Sequence, residues 1–579
     1  MNKRAIQQRV VLLTLIVLIS VTSGAAARQE RLIDSWKPIN YKVSLVLDDK
    51  LTGITSAKAE ITITTLKGPL SQIDLDFGDM TVDAVTVDAQ TAQFGRPSGR
   101  LNIHLPKVAP QNARLVIVVS YHGKPKDGLI LTADKAGKPS AVGDNWPNRL
   151  HHWVPCLDHP SAKATVQFTV TAPARTLVVA NGKLDRVETT SNDTRTWSYT
   201  EASPIPPYCM IIAVGEFVEI KPREQPLTSL AYYVPPPDKD LAMQGFAPAN
   251  PSLKFFGETI APYPYEKLAL IVGATRFGGM ENSGAIVFGS TVLDPRPQVA
   301  QMSKAFNIRE GLVSLVAHEI AHQWFGDSVT ESTWSDLWLS EGFATYFAAL
   351  FIQRHEGEEA FQRNMKTAGN AYLAYAKTTL TPLHDTETED LMDLLNPNNY
   401  QKGSWVLHML RLQLGDDSFF RGLRRYYEQH KGGTASSDDL RAALENSSGR
   451  NLKNFFERWV YDKGHPSYDL SWTWQPKTMR VRLMLRQLQS GLVFPNSVPV
   501  DVISGCGKRR IVLNPSAKES LAEVALEAAP LQILIDPEDT ILKEARVGRA
   551  PQLPKPTRKA GVKVFRNVPC IQPNTQSQR

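Results

Sequence analysis

The period of the apolar residues changes twice along this chain, and that double change limits the folds open to it. From about residue 39 to 217, apolar and polar residues alternate, as in residues 41–47, 59–65, 114–121 and 164–171, with Gly, Pro, Asn and Asp between the runs. Alternation puts every second side chain on one face of a strand, so this stretch predicts an all-β domain of two packed sheets. After Pro251 one more strand follows at 268–272, and from Arg309 the apolar residues recur at helical spacing. Residues 309–326, 337–355, 400–412, 417–429, 437–446 and 452–461 read as helices of a mainly helical domain. Lys463-Gly464-His465-Pro466 stops them, and alternation returns at 468–474, 480–485, 498–502, 509–512 and 532–535. That last stretch predicts a small β-sandwich. The fold class is therefore multi-domain α+β, with an all-β region at 28–219, a mainly helical region at 220–465 and a small β region at 466–548. Residues 549–579, rich in Pro, Lys and Arg, are expected to be extended or disordered.

A chain of 579 residues exceeds what one core can serve, which agrees with this division. Residues 1–27 have the build of a secretory signal peptide. Lys3, Arg4 and Arg9 precede an apolar run at 10–21, and Ala25-Ala26-Ala27 offers a small-residue cleavage site. The run is short for a membrane span, and no later segment is long and apolar enough to be one. The expectation is export to the periplasm or the cell exterior, with no stable membrane span once the leader is cleaved.

The net charge of +7 belongs to the two ends. The leader carries basic residues and no acidic ones, and so does the stretch from Arg549 to Arg579, leaving the body mildly acidic. A general nucleic-acid-binding surface is not supported. Cys156 and Cys209 lie in apolar contexts and read as buried small hydrophobes; Cys506 and Cys570 lie in polar ones and could pair, although sequence leaves the connectivity open.

Residues 316–327 read VAHEIAHQWFGD. His318 and His322, four apart on a helix, project from one face and can reach one ion. His-Glu-x-x-His is the zinc-peptidase pattern, in which Glu319 serves as general base toward water. Glu341 lies 19 residues after His322 on the next helix and can supply a third ligand. Two His and one carboxylate leave a coordination position open, which favours chemistry over a structural role, since structural zinc sites close all four positions, mostly with Cys. The same donors also suit iron, but two His on one helix around a Glu favour zinc. Asp327, five residues after His322, is a candidate acceptor for a ligand His.

These residues resemble the aminopeptidase N family of zinc metallopeptidases, whose signature is HExxH with a ligand Glu 19 residues on. Further matches run in family order. Gly278-Gly279-Met280-Glu281-Asn282 is similar to the family's exopeptidase motif, with Gly in place of the more usual Ala at the second position. Tyr400-Gln401-Lys402-Gly403 is similar to the segment bearing its catalytic tyrosine. Residues 153–160, WVPCLDHP, and 208–217, YCMIIAVGEF, resemble N-terminal framework motifs. The resemblance implies an N-terminal β-sandwich or saddle domain, a thermolysin-like helical catalytic domain and a small C-terminal β-sandwich. It implies one Zn2+ per chain on His318, His322 and Glu341. It implies peptide substrates with a free N-terminus, their ammonium held by Glu281 within the substrate-binding stretch Gly278 to Asn282, and Tyr400 beside the general base Glu319.

Two departures stand out. Many members place a second Gln or Glu for the ammonium nine residues before the Pro of the PC motif. Here that position is Trp146; Asn145 or Asp144 could substitute, or the segment could be shifted, and the second anchor stays unassigned. Many relatives also carry a large helical C-terminal domain that roofs the site, and an unroofed site would be more open. The side chains that set first-residue preference are scattered, so the sequence names no preferred residue.

Overall fold

The computed structural model describes residues 28–134, 136–224, 229–294, 301–556 and 562–565. Alternation in the N-terminal region becomes an eight-stranded sheet. At its centre Trp36–Leu47 pairs antiparallel with Ile54–Thr65 and parallel with Ala164–Pro173, so that Tyr41 stands opposite both Ile61 and Val166. Tyr41, Val43 and Leu45 point into the core while Lys42, Ser44 and Val46 point out. A three-stranded sheet (Leu70–Asp76, Arg100–Ala109, Phe94–Gly95) lies beside it.

A further, four-stranded sheet (Leu177–Ala180, Ile212–Gly215, Pro139–Gly143, Leu129–Ala133) gives the N-terminal region three sheets where the alternation predicts two. The pattern hides it because three of its four strands are covered on both faces and do not alternate. Ala141, Val178, Ile212 and Val214 join the N-terminal core. Their neighbours Val142, Val179 and Ala213 join a separate cluster with Trp146, Tyr208, Ala269, Ile271, Val287 and Trp334, which cements the N-terminal region to the next.

That next region opens on a five-stranded sheet in the order Val218–Ile220, Ser229–Val234, Lys267–Val272, Ala285–Phe288, Gly279–Met280. The helices that accompany it are α1 (Lys239–Gly245), α2 (Ala249–Thr259), α3 (Glu310–His322), α4 (Trp338–Glu356), α5 (Glu358–Tyr375), α6 (Gly403–Leu414), α7 (Asp416–His430), α8 (Ser437–Ser448) and α9 (Lys453–Trp459). Almost every residue of α4 up to Ile352 is buried, so it runs through the middle of the bundle as a helix apolar on all sides does.

Two four-stranded sheets follow: Glu519–Ala525, Arg480–Gln487, Ser467–Gln475, Glu544–Arg549, and Pro530–Ile535, Val498–Ser504, Gly507–Leu513, Val562–Phe565. Their inward residues, Leu470, Leu483, Val500 and Ile511 among them, belong to the same buried cluster as the helices. Two strands lie beyond the last one expected. All six residues of Glu544–Arg549 are exposed, so no apolar pattern marks a strand whose backbone pairs parallel with Ser467–Gln475. Val562–Phe565, in the stretch expected to be extended or disordered, pairs antiparallel with Gly507–Leu513. Backbone pairing needs no particular side chain, and composition cannot report it. Cys156 and Cys209 are free and buried, as expected. Cys506 is disulfide-bonded; Cys570 and the leader, residues 1–27, lie outside the described residues. No helix among the described residues is long and apolar enough to cross a membrane.

Candidate active site

Helix α3 buries Leu312, Val313, Val316, Ala317, Ile320 and Ala321, which fixes its rotation. The same rotation sends His318, Glu319 and His322 toward one cavity of about 500 Å3. Glu341 enters from the first turn of α4, where unpaired N–H groups favour a negative charge. Its Oε2 lies 3.2 Å from His318 Nε2 and 3.3 Å from His322 Nε2, and the two imidazole nitrogens are 3.0 Å apart. Around a tetrahedral ion with bonds of about 2.0–2.1 Å, ligand atoms stand roughly 3.3 Å from one another. The three side chains therefore converge as ligands of one ion would.

Electrostatics points the same way. Burial works against ionising Glu341, but His322's charge and hydrogen bonds from His318 and His322 hold its carboxyl well below the usual range. Burial also works against charging His322, yet Glu341 and Glu281 outweigh it and push the imidazole up to about 10. Burial pushes Glu319 well above the usual carboxylate range; His322 offsets some of this, while Glu281 and Glu341 add to it. So many buried carboxylates around two imidazoles call for a cation, and the donor set fits a divalent metal ion.

The imidazole of His322 is held from behind. Its Nδ1 is 3.1 Å from the Phe325 carbonyl and 3.0 Å from Ser340 Oγ. With Nδ1–H donated to Phe325, Nε2 is the nitrogen that faces the centre, where a bound cation would take the place of its proton. Asp327, the acceptor suggested by spacing, does not take this role. It accepts from Gln323 Nε2 at 2.9 Å and from Cys209 Sγ at 3.3 Å. The chain turns so sharply after α3, with Gly326 at φ +122°, that a main-chain carbonyl reaches the ring first.

Gln323 is a positioning residue that spacing missed. Its amide donates to the Glu281 carbonyl at 2.7 Å and accepts from the Gly284 N–H at 2.8 Å, stapling the Gly-rich segment to α3. The only available signal was a polar residue next to a ligand His. Gly278, Gly279, Met280 and Glu281 line the cavity, and Asn282 does not. Asn282 is fully buried behind it, donating to the Met280 carbonyl at 3.3 Å. A Cβ on Gly279 would lie 2.4 Å from Glu319 Oε1, so the alanine more usual at this position would require the Glu319 side chain to shift. Burial pushes Glu281 up to about 7, with His322 opposing and Glu341 adding to the rise.

Tyr400 reaches the site from the irregular turn Asn398–Lys402. Its hydroxyl donates to Glu341 Oε1 at 2.7 Å, and its ring stacks on His318 with centroids 5.9 Å apart. Neither proposed substitute for the second ammonium group reaches the cavity. Asp144 accepts from Arg149 Nη2 at 3.0 Å and from the Arg276 N–H at 2.9 Å. Asn145 is bound to the Met210 carbonyl and to Trp153 Nε1. Trp146 itself lines the wall.

A helix-borne His-Glu-x-x-His pair completed by a Glu from the next helix defines a gluzincin-type metallopeptidase site. Comparison with known families agrees. Residues 37–209 match the Peptidase M1 N-terminal domain and residues 246–459 the Peptidase family M1 domain. The chain belongs to this family, that of aminopeptidase N. Similar proteins include "Probable aminopeptidase 2" of Sulfurisphaera tokodaii, 28% identical over 68% of this chain and 50% of that protein. "Tricorn protease-interacting factor F2" of Thermoplasma acidophilum is 25% identical over 80% of this chain and 58% of its own. "Glutamyl aminopeptidase" of Rattus norvegicus is 27% identical over 59% and 36%. The chain thus spans about half the length of the first two relatives.

Proposed function

We propose that the protein is a zinc-dependent aminopeptidase that removes the N-terminal residue of peptides, with Glu319 as general base. The observation that carries this is the meeting, in one cavity, of the ligand set His318, His322 and Glu341 with Glu319, Glu281 and Tyr400. Zinc held by those ligands would supply a Lewis acid for the scissile carbonyl and lower the pKa of water. Glu319 takes the proton of the attacking water and passes it to the departing amine. Burial and neighbouring carboxylates make it a strong enough base for that task once a cation balances them. The Tyr400 hydroxyl, releasing Glu341, donates to the developing oxyanion. Glu281 pairs with the substrate's α-ammonium and so sets the register of the first peptide bond.

In this reading the helical region is a thermolysin-like catalytic domain, residues 220–465, and the two C-terminal sheets form a small β-sandwich, residues 466–548. Export rests on the basic, apolar and small-residue order of residues 1–27. N-terminal sequencing of protein from the periplasm or medium, starting near Arg28, would bear it out; an intact Met1 would not. The activity is tested on aminoacyl fluorogenic amides, with and without N-acetylation and with and without a zinc chelator. Chelator-sensitive cleavage of the free amines alone is expected. Zinc-loaded protein that cleaved none of them would point to a binding scaffold, and cleavage of the acetylated forms to an endopeptidase.

A further inference from the structure

Trp146 stands in the wall of the cavity, where the resemblance to the family implies a second polar group for the ammonium. The structure shows what this departure does to the cavity. The indole is 3% exposed and packs edge-on against Phe277, at 6.1 Å between centroids, and against Trp334, at 5.6 Å. Together with Phe277, Met280 and Leu395 it makes an apolar wall adjoining Glu281. The polar residues just before it face away, Asp144 to Arg149 and Asn145 to Met210 and Trp153. The ionisable groups lining the cavity are Glu281, His318, Glu319, His322, Glu341 and Tyr400, all engaged in the centre described above. No other charged side chain among the described residues lines it to pair with a charged first residue of a substrate.

The wall is also braced. Trp334 donates its backbone N–H to Glu30 Oε2 at 3.1 Å. Glu30 is in turn paired with Arg28 at 2.7 Å, and its Oε2 lies 3.0 Å from His159 Nε2. Arg28 donates to Ser335 Oγ and to the Asp385 and Thr388 carbonyls. The N-terminal segment thus anchors the loop whose Trp334 backs Trp146, so the wall is held in shape before a substrate arrives.

The geometry points to Trp146 as the specificity-determining residue of this site, selecting peptides whose first side chain is apolar, such as Leu, Met or Phe, over acidic and basic ones. The inference rests on the aminopeptidase reading and names the substrate class for it. A fully buried apolar side chain is worth about 10- to 100-fold in binding, and a charge placed there without a partner loses rather than gains. Wild-type enzyme should therefore cleave Leu and Phe amides about 100-fold better in kcat/KM than Glu or Lys amides.

The test uses the full chain loaded with zinc and compares Leu, Phe, Glu and Lys amides. In Trp146→Gln the ratio of kcat/KM for Leu over Lys should fall at least about tenfold, while Trp146→Phe keeps the apolar preference. The ratio within one preparation is independent of how much of a variant folds, so partial unfolding of Trp146→Gln does not blur the result. Isothermal titration with leucine hydroxamate and lysine hydroxamate gives the same comparison without turnover. Equal cleavage of charged and apolar first residues by wild type, or a ratio unchanged in Trp146→Gln, would overturn the inference. If no free amine is cleaved at all, the aminopeptidase reading falls. The titration then still decides the wall: tighter leucine hydroxamate upholds it and equal affinities reject it.

Discussion

Glu319 shows how one side chain can be legible in a sequence and still owe its behaviour to the fold. Its place between two His on a helix suggests the role of base proposed for it, but the upward push on its carboxyl comes from burial and from Glu281 and Glu341, which are near it only in space. Replacing Glu319 with Gln keeps the shape and the ligands and removes the base. The expected outcome is a loss of about 10²–10⁴ in kcat with zinc content unchanged, checked by steady-state rates beside metal analysis of the same sample. A variant that turned over normally would remove Glu319 from the mechanism. The backing of His322 was beyond sequence reasoning for a related cause. Spacing offered Asp327, whereas the acceptor is the Phe325 carbonyl, and a main-chain group has no identity in a sequence.

At the level of elements, Tyr400 comes near Glu341 because α4 and α6 touch backbone to backbone. A Cβ on Gly342 would lie 2.9 Å from Gly403 Cα, and one on Gly403 would lie 2.9 Å from Gly342 Cα. Gly342 follows the proposed ligand Glu341 directly, and Gly403 closes the segment bearing Tyr400. The obstacle on each side is main chain rather than a movable side-chain end, so helices must separate to admit a methyl. Gly403→Ala should destabilise the protein by about 1–3 kcal/mol and lower kcat by moving the Tyr400 hydroxyl. Thermal melting and kcat on a Leu amide check the two effects, and an unaltered kcat would show that the close approach does not position Tyr400. The helices themselves were readable from apolar spacing; their contact was not, because a glycine's meaning depends on which backbone it meets.

Over the whole molecule, the regions are joined by shared cores rather than linkers. Trp459 and Val460 at the end of the helices lie in one buried cluster with Leu470, Phe494 and Val500 of the C-terminal sheets. A chain truncated after His465 would expose that face, and it is expected to be insoluble or to lose its cooperative melting transition rather than remain active. Soluble, active protein of that length would show the sheets to be dispensable. A second effect lies at the seam with the N-terminal region. Glu201 is fully buried, and burial together with Glu266, against the Ser203 N–H and Lys267, pushes its carboxyl up to about 8 from 4.5. A folded-state pKa above the unfolded one means stability that is fully present below about 4.5 and lost as pH rises through about 8. Glu201→Gln cannot ionise, so its melting temperature should gain on wild type by a few °C between about pH 5 and 9; a constant difference across that range would refute the assignment.

The sequence alone determined the order of β, helical and β regions, because strand and helix periods are local properties of apolar residues. It also put His318 and His322 on one face, because a helix of about 3.6 residues per turn converts spacing of four into a shared face, and it offered Glu319 and Glu341 as candidates, with Glu341 brought to them only by the packing of α4 against α3. Tertiary structure decided the rest. The doubly covered sheet, the exposed strand at Glu544–Arg549, the staple of Gln323 and the apolar wall at Trp146 depend on partners far away in the chain. Trp146 makes the point most sharply: its position marked it as a departure, and only its neighbours Phe277 and Trp334 turn that departure into a surface a substrate would meet.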